Sequence, residues 1–316
     1  MRYRKLGRTG LEISEISLGS WLTFGGSVDE QRSIELIRRA FDLGVNFFDT
    51  ANVYSSGRAE EVVGKALAPL PRDRVVVGTK LFFPVGPEPE DQGLSRAAIA
   101  KQSEASLRRL SLDVIDLYQC HRYDQATPLE ETCRAMDDLV RAGKILHWGV
   151  SEWTAEQIVA AVTLCEREGL APPATDQPRY SMLEPEAESD GVLETCARLE
   201  LGVVVFSPLA QGVLTGKYAS ASPVPPDSRA ADPAGRMFIE RFLNEDVYAR
   251  VDRLRPVAIV LGVTIAQLAL AWILRRPEVT SAIVGATSIA QLEENAGGSS
   301  PDLDPDTVEE IGAALS

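Results

Sequence analysis

Three apolar stretches of the chain each lead into reactive side chains. The run "NFFDTANVY" (46–54) delivers Asp49 and, in the loop that follows, the phenol of Tyr54. "RVVVGTK" (74–80) ends on Lys80, and "VIDLYQC" (114–120) is followed directly by His121. An acid, a phenol, an amine and an imidazole in one place can move protons. An amine so placed can also form a Schiff base with a carbonyl compound. Singly, each has a plain structural reading: an Asp that ends a strand turns the chain, a Lys reaches for solvent, and a lone His packs. The chemistry depends on whether the fold brings all four together.

The elements that would do so are legible. Strand-like runs occupy residues 12–20, 45–50, 74–80, 114–120, 144–150, 173–179, 202–208 and 280–286. Most are short and apolar on both faces, as parallel strands covered by helices should be. Amphipathic helical segments lie between them, at about 30–43, 59–68, 95–110, 128–143, 154–168 and 189–200. Ser95 and Thr154 suit helix N-caps, and Gly44, Gly143 and Gly262 suit helix stops. Eight strands alternating with helices predict an α/β fold, a (β/α)8 TIM barrel forming one domain over residues 1–316. "YRKLGRTGLEI" reads as an N-terminal hairpin turning at "GRTG" and closing the barrel bottom. In such a barrel reactive groups belong at the C-terminal ends of strands, where Asp49, Lys80 and His121 stand with Tyr54 just beyond. Two long connections join that face: "LFFPVGPEPEDQGL" after the third strand, and the Pro-, Ser- and Gly-rich stretch from about Ala210 to Asn244. Their length suggests functional lids or disordered segments.

The 316 residues include 32 Lys and Arg against 46 Asp and Glu, a net charge of −14 with no basic cluster. That argues against nucleic acid and anionic membranes as partners, so an anionic ligand must be held by a few placed cations and backbone amides. Cys120, Cys133, Cys165 and Cys196 form no CxxC pair, and three of them lie in helical segments as small buried hydrophobes, which suggests a reducing compartment. The N-terminus lacks the apolar core of a signal peptide. The apolar stretch 257–274 contains Gly262 and a Thr264/Gln267 capping box, so it reads as two core helices rather than one span. The expectation is a soluble, cytoplasmic protein without a metal site; no oligomer interface can be read, and homo-oligomerisation stays open.

"FFDTANVY", "VVGTK" and "DLYQCHRYD" together resemble the catalytic segments of the aldo-keto reductases. "GVSEW", "QPRYSML", "FSPLAQGVLTGKY", "SRA" and "VGATSIAQLEEN" extend the resemblance, in the family's order, from about residue 3 to 296. The branch is the one that contains potassium-channel β-subunits and bacterial reductases. The resemblance implies reduction of aldehydes or ketones by NADPH, with NADH the other option, and Asp49, Tyr54, Lys80 and His121 as the catalytic tetrad. The physics agrees with these roles. A phenol titrates near pH 10, too high for an efficient acid at neutral pH, and an adjacent Lys80 ammonium would lower it while Asp49 keeps that lysine charged. Tyr54 would then protonate the carbonyl oxygen, and His121 would orient that oxygen. The Schiff-base lyase reading of Lys80 is disfavoured because Asp49 keeps the amine protonated. A regulatory subunit that binds NADPH with little turnover is the other alternative; His121, where the channel subunits carry Asn, favours turnover.

No GxGxxG follows a first strand, so a Rossmann site is not expected. Barrels hold phosphate near the loops after strands seven and eight, where "SPLAQG" and "GATSIAQLEEN" lie, and Ser288 with Gln291 forms a capping box exposing helix N-terminal amides. By resemblance, Ser151 and Gln177 would hold the nicotinamide carboxamide and Tyr180 would stack on its ring. Ser207, Leu209 and Gln211 would line the pyrophosphate, and Lys217 and Arg229 would meet the 2′-phosphate. Gly285, Thr287, Gln291, Glu294 and Asn295 would surround the adenosine end. Trp21 would serve both cofactor and substrate, and Phe82, Phe83, Tyr123 and Trp153 would complete the substrate pocket. The chain departs from the family at Glu152, where Asn is common, and at Gln291, where an Arg often meets the 2′-phosphate. It also ends without the long tail that shapes the pocket in many relatives.

Overall fold

The computed structural model describes residues 1–218, 223–226 and 228–316. Ten strands are present among the described residues: β1 (Tyr3–Lys5), β2 (Glu12–Ser14), β3 (Ile16–Gly19), β4 (Phe47–Asp49), β5 (Val76–Leu81), β6 (Ile115–Cys120), β7 (Ile145–Ser151), β8 (Thr175–Gln177), β9 (Gly202–Val205) and β10 (Val279–Val284). β3 to β10 pair in parallel, each with the next, and β10 returns to β3 to close the barrel. Closure leaves no edge strand, and helices cover the outside, so every residue of β5, β6 and β10 is buried.

Side-chain alternation sets what the barrel encloses. Phe47 and Asp49 share the inner face of β4, Val76, Gly78 and Lys80 that of β5, and Leu117, Gln119 and His121 that face of β6 and its end. Apolar residues start each strand and reactive ones finish it. Phe47, Val76, Leu117, Val204 and Ile283 form an inner apolar cluster with Leu6 and Ile13 of the hairpin β1–β2, which plugs the bottom as its sequence predicts. Gly7 at the hairpin turn has φ +51, and a Cβ there would lie 2.4 Å from the backbone nitrogen of Gly202. Only glycine lets the plug sit so close to the barrel floor.

The first predicted strand divides. Residues 12–14 belong to the hairpin and 16–19 to the barrel, with Glu15 at the corner. Its enclosed carboxylate accepts from Arg2 Nε (3.0 Å), Arg4 Nε (2.7 Å) and Ser299 Oγ (2.8 Å), which ties plug, barrel and C-terminal region together. The predicted 189–200 helix begins later, as Val192–Arg198, because Gly191 at φ +79 separates it from the short turn Glu186–Ser189. Ser95 and Thr154 cap their helices, and Gly44, Gly143 and Gly262 are all left-handed at helix ends. The four cysteines are free and buried. Thr264 and Gln267 form the complete capping box, and helices Glu245–Leu261 and Ile265–Leu274 are bent by 85° at the break. No single helix among the described residues is long and apolar enough to cross a membrane.

The described parts of the 210–244 connection include a turn at Ala210–Thr215 and the helix Pro233–Ile239; residues 219–222 and 227 of it lie outside the described residues. Non-glycine residues with positive φ concentrate at the barrel mouth: Leu22, Ser55, Ser56, Phe82, Glu152, Ser207, Ala210 and Gln211. Each such conformation costs about 1–3 kcal/mol and persists where surrounding structure enforces it, commonly at functional sites.

Candidate active site

The core of the site is an enclosed ion pair. Lys80 Nζ donates to Asp49 Oδ2 at 2.6 Å and to the carbonyl of Thr50 at 2.8 Å. Adjacent parallel strands put them there, β4 and β5 pairing Asp49 with Gly78 two residues before Lys80. Gly78 is required because a Cβ would lie 2.9 Å from the Phe47 ring. The other carboxylate oxygen of Asp49 accepts from Gln177 Nε2 at 3.0 Å, and Ser151 Oγ donates to the carbonyl of Gln177 at 2.8 Å. Four strand ends are thus linked around one carboxylate. Burial depresses the Lys80 ammonium below its ordinary value, while the Asp49 carboxylate pulls it up.

Tyr54 follows in a loop held by Asn52, whose N–H donates to the carbonyl of Lys80 (3.1 Å) and whose amide donates to Gln102 (2.6 Å). Lys80 Nζ lies 5.2 Å from the Tyr54 ring centroid. The Tyr54 and His121 rings meet edge to face at 5.8 Å. Contrary to the sequence-based expectation, the phenol is pushed well above its ordinary value, first by burial and then by Asp49, with Arg122 opposing. Burial prevails over the nearby lysine, whose ammonium is engaged by Asp49 at 2.6 Å. Burial, Lys80 and Arg122 all push His121 well below its ordinary value, so its imidazole is neutral around pH 7. Its Nδ1 has no hydrogen-bond partner among the described residues.

Tyr54, His121 and Asp49 open onto a cleft of about 1400 Å³. Lys80 is completely enclosed and does not line it, so its amine has no path to a carbonyl carbon there. Of the residues expected at the cofactor, Trp21, Ser151, Gln177, Ser207, Leu209, Gln211, Lys217, Arg229, Gly285, Thr287, Gln291, Glu294 and Asn295 line the cleft. Gln211 ties two loops, donating from Nε2 to Ser207 Oγ at 2.6 Å and accepting from Arg229 Nη1. Ser288 caps the helix Ile289–Ala296 by accepting from Gln291 N at 3.2 Å. The second half of that expected box differs: Gln291 Oε1 accepts from the backbone N–H and the hydroxyl of Thr287.

Four expected residues lie elsewhere. Tyr180 is fully buried, stacked on Trp272 at 5.4 Å, with its hydroxyl donating to Glu188 and accepting from Arg275. Gln177 spends its side of the strand on the cleft, and alternation turns Tyr180 to the other side, into the helical layer. Phe82, Tyr123 and Trp153 do not line the cleft either. Phe82 packs edge to face against Phe83, which does line it, and Tyr123 packs against Trp153 at 4.7 Å. Left-handed backbone at Phe82 and Glu152 breaks the alternation and redirects the side chains that follow. Cleft residues not singled out in the sequence include Arg122, Arg179, Phe206 and Phe238. Arg122 and Phe206 directly follow and precede His121 and Ser207, which was a signal. Phe238, which meets Trp21 at 4.8 Å, gave none.

The chain is thus a parallel eight-stranded (β/α)8 barrel whose strand ends gather an acid, a lysine and an imidazole beside a phenol, at a cleft of about 1400 Å³. The Aldo/keto reductase family model matches residues 15–316, and the chain belongs to that family. The family carries out oxidoreduction of small carbonyl compounds with NAD(P)H. The chain is 43% identical over 297 residues to a probable voltage-gated potassium channel subunit beta from Arabidopsis thaliana, covering 93% of this chain and 90% of that protein. It is also 43% identical over 319 residues to a protein of the same description from Oryza sativa subsp. japonica, covering 100% and 97%.

Proposed function

We propose that the chain is an NADPH-dependent reductase of aldehydes or ketones, with Tyr54 as general acid. The observation that carries the reading is the meeting of the Tyr54 and His121 rings at 5.8 Å, over the enclosed Asp49–Lys80 pair, at the end of the large cleft. The donor set suits a dinucleotide: Ser207, Gln211 and the capped helix N-terminus suit the pyrophosphate and adenosine end, and Lys217 and Arg229 suit the 2′-phosphate. Ser151 and Gln177 would hold the carboxamide, and Phe206 replaces Tyr180 as the aromatic available for stacking. When bound, the reduced nicotinamide supplies hydride to the carbonyl carbon.

The protein's part is proton supply and charge stabilisation. A raised phenol stays protonated at neutral pH, so Tyr54 is loaded as a donor. Its weak acidity suffices because an alkoxide, the product of hydride addition, is a stronger base than a phenolate. His121, neutral, donates a hydrogen bond to the same oxygen as its charge grows. The phenolate left behind lies beside the Lys80 ammonium and takes its next proton from water. Asp49 keeps Lys80 in place for every turnover.

A panel of aldehydes and ketones, assayed by loss of NADPH absorbance, tests this. Turnover that depends on Tyr54 supports it; tight NADPH binding with no turnover of any carbonyl would overturn it. That outcome would favour the second reading, a cofactor-binding regulatory subunit, to which the description of the plant relatives points.

A further inference from the structure

The reaction end of the cleft contains a cation that neither gives nor takes the transferred proton. Arg122 follows His121, and its half-buried guanidinium lies over the Phe83 ring at 5.5 Å. Among the described residues it donates one hydrogen bond, to the carbonyl of His121. A guanidinium carries five N–H donors and remains charged in proteins. Among the described residues no carboxylate forms an ion pair with it. Glu152 acts on it only electrostatically, with Oε1 already accepting from the backbone N–H of Arg179 at 2.7 Å. Arg179, also at the cleft, is paired with Glu184 at 3.3 Å, and Arg32 with Glu35 at 3.1 Å. A half-buried, unpaired guanidinium in a chain of net charge −14 is a costly arrangement that an incoming anion would relieve.

We propose that Arg122 is a specificity residue that binds an anionic group, a carboxylate or a phosphate monoester, carried by the carbonyl substrate. The inference rests on the reductase reading of the site. Arg122 lines the same cleft as Tyr54 and His121, and Phe83, 5.5 Å beneath its guanidinium, lies 4.9 Å from the His121 ring, so a group bound to it lies close to a carbonyl oxygen held by those two. Its planar fork matches carboxylate and phosphate geometry alike. The ring of Phe83, 4.9 Å from that of His121 and under the guanidinium, would pack against the body of a short, flat substrate. Substrates of this class are aldehydes or ketones with the acidic group a few bonds from the carbonyl.

The test compares matched aldehydes: 4-formylbenzoate against its methyl ester, and 4-formylphenyl phosphate against 4-methoxybenzaldehyde. The wild-type enzyme should favour the anionic member of at least one pair in kcat/KM. Arg122→Met should reduce that preference roughly 10- to 100-fold, mainly through KM, which is the weight of a charge-assisted hydrogen bond. Arg122→Lys should keep part of it, and rising salt should erode it in the wild type. Which pair responds separates carboxylate from phosphate. A preference that Arg122→Met leaves unaltered, with ordinary reduction of the neutral aldehydes, would overturn the inference and leave the reductase reading standing. If the wild type reduces none of the four, the reductase reading fails instead. Calorimetry with 4-formylbenzoate and 4-formylphenyl phosphate on the NADP⁺ complex then decides: binding lost in Arg122→Met supports the anion site, and equal or absent binding refutes it.

Discussion

Replacing Tyr54 by Phe removes one oxygen and little else. No hydrogen bond among the described residues uses that hydroxyl, so the variant should unfold within about 1 kcal/mol of the wild type. Loss of a general acid should nevertheless lower kcat by roughly 10²–10⁴-fold. That corresponds to about 3–5 kcal/mol of transition-state stabilisation. Lys80→Met should behave differently. It strips Asp49 of its 2.6 Å partner and leaves an enclosed carboxylate with only the Gln177 amide at 3.0 Å. Breaking a buried pair from one side costs about 3–5 kcal/mol, less whatever Asp49 recovers by taking up a proton. Turnover should fall as well, because the phenolate loses its neighbouring cation. Asp49→Asn with Lys80→Met should regain part of the stability and none of the activity. The assays are kcat with an aromatic aldehyde at saturating NADPH, NADPH titration by fluorescence, and urea unfolding for each variant. The two activity losses should not add in Tyr54→Phe with Lys80→Met, since both act on one proton transfer. Near-normal turnover by Tyr54→Phe would refute the mechanism, and an undiminished urea midpoint for Lys80→Met would refute the account of the ion pair.

Arg229→Ala should weaken NADPH much more than NADH, by roughly 10-fold or more, because only NADPH carries the phosphate this cation suits; equal weakening in parallel titrations would assign Arg229 to loop structure through Gln211. The pH profile of carbonyl reduction should show no break near pH 6.5, since His121 is held well below that ordinary value and stays neutral as pH falls through it. The alkaline limb should come no earlier than the ordinary phenol range, as the raised Tyr54 keeps its proton. Asp176 is fully buried on β8, no side chain among the described residues pairs with its carboxylate, and burial and then Glu152 raise its carboxyl well above the ordinary value, with the Gln177 backbone N–H opposing. Its folded form retains a proton that the unfolded chain releases above about pH 3.9, so it withdraws stability as pH rises beyond that point, by about 1.4 kcal/mol per pH unit until the folded value is reached. Asp176→Asn should therefore raise the melting temperature more at pH 8 than at pH 4.5; a difference independent of pH would count against it. The barrel should unfold in one transition, and two separated transitions in calorimetry would argue against a single domain.

Local chemistry was readable because it is written locally. Apolar runs leading into Asp49, Lys80 and His121 needed only the period of a strand to put apolar residues at the barrel floor and reactive ones at the rim. Ser95, Thr154 and Thr264 capped helices, and Gly44, Gly143 and Gly262 ended them, because capping involves residues three or four apart. Orientation beyond the strand ends was another matter. Counting on from Gln177 turns Arg179 to the cleft and Tyr180 into the helical layer, so Phe206 rather than Tyr180 is the aromatic the cofactor could meet. At Phe82 and Glu152 even that count fails, since left-handed backbone resets it, and only the packed loops hold a non-glycine residue there. Electrostatics needed the tertiary structure most of all. The sequence supplies a lysine and a phenol; only the fold's burial of the phenol, with Asp49 close by and committed to Lys80 at 2.6 Å, leaves it raised rather than lowered. That Arg122 has no carboxylate partner among the described residues was equally invisible, because whether a charge has a partner depends on which distant carboxylates the fold has already committed elsewhere.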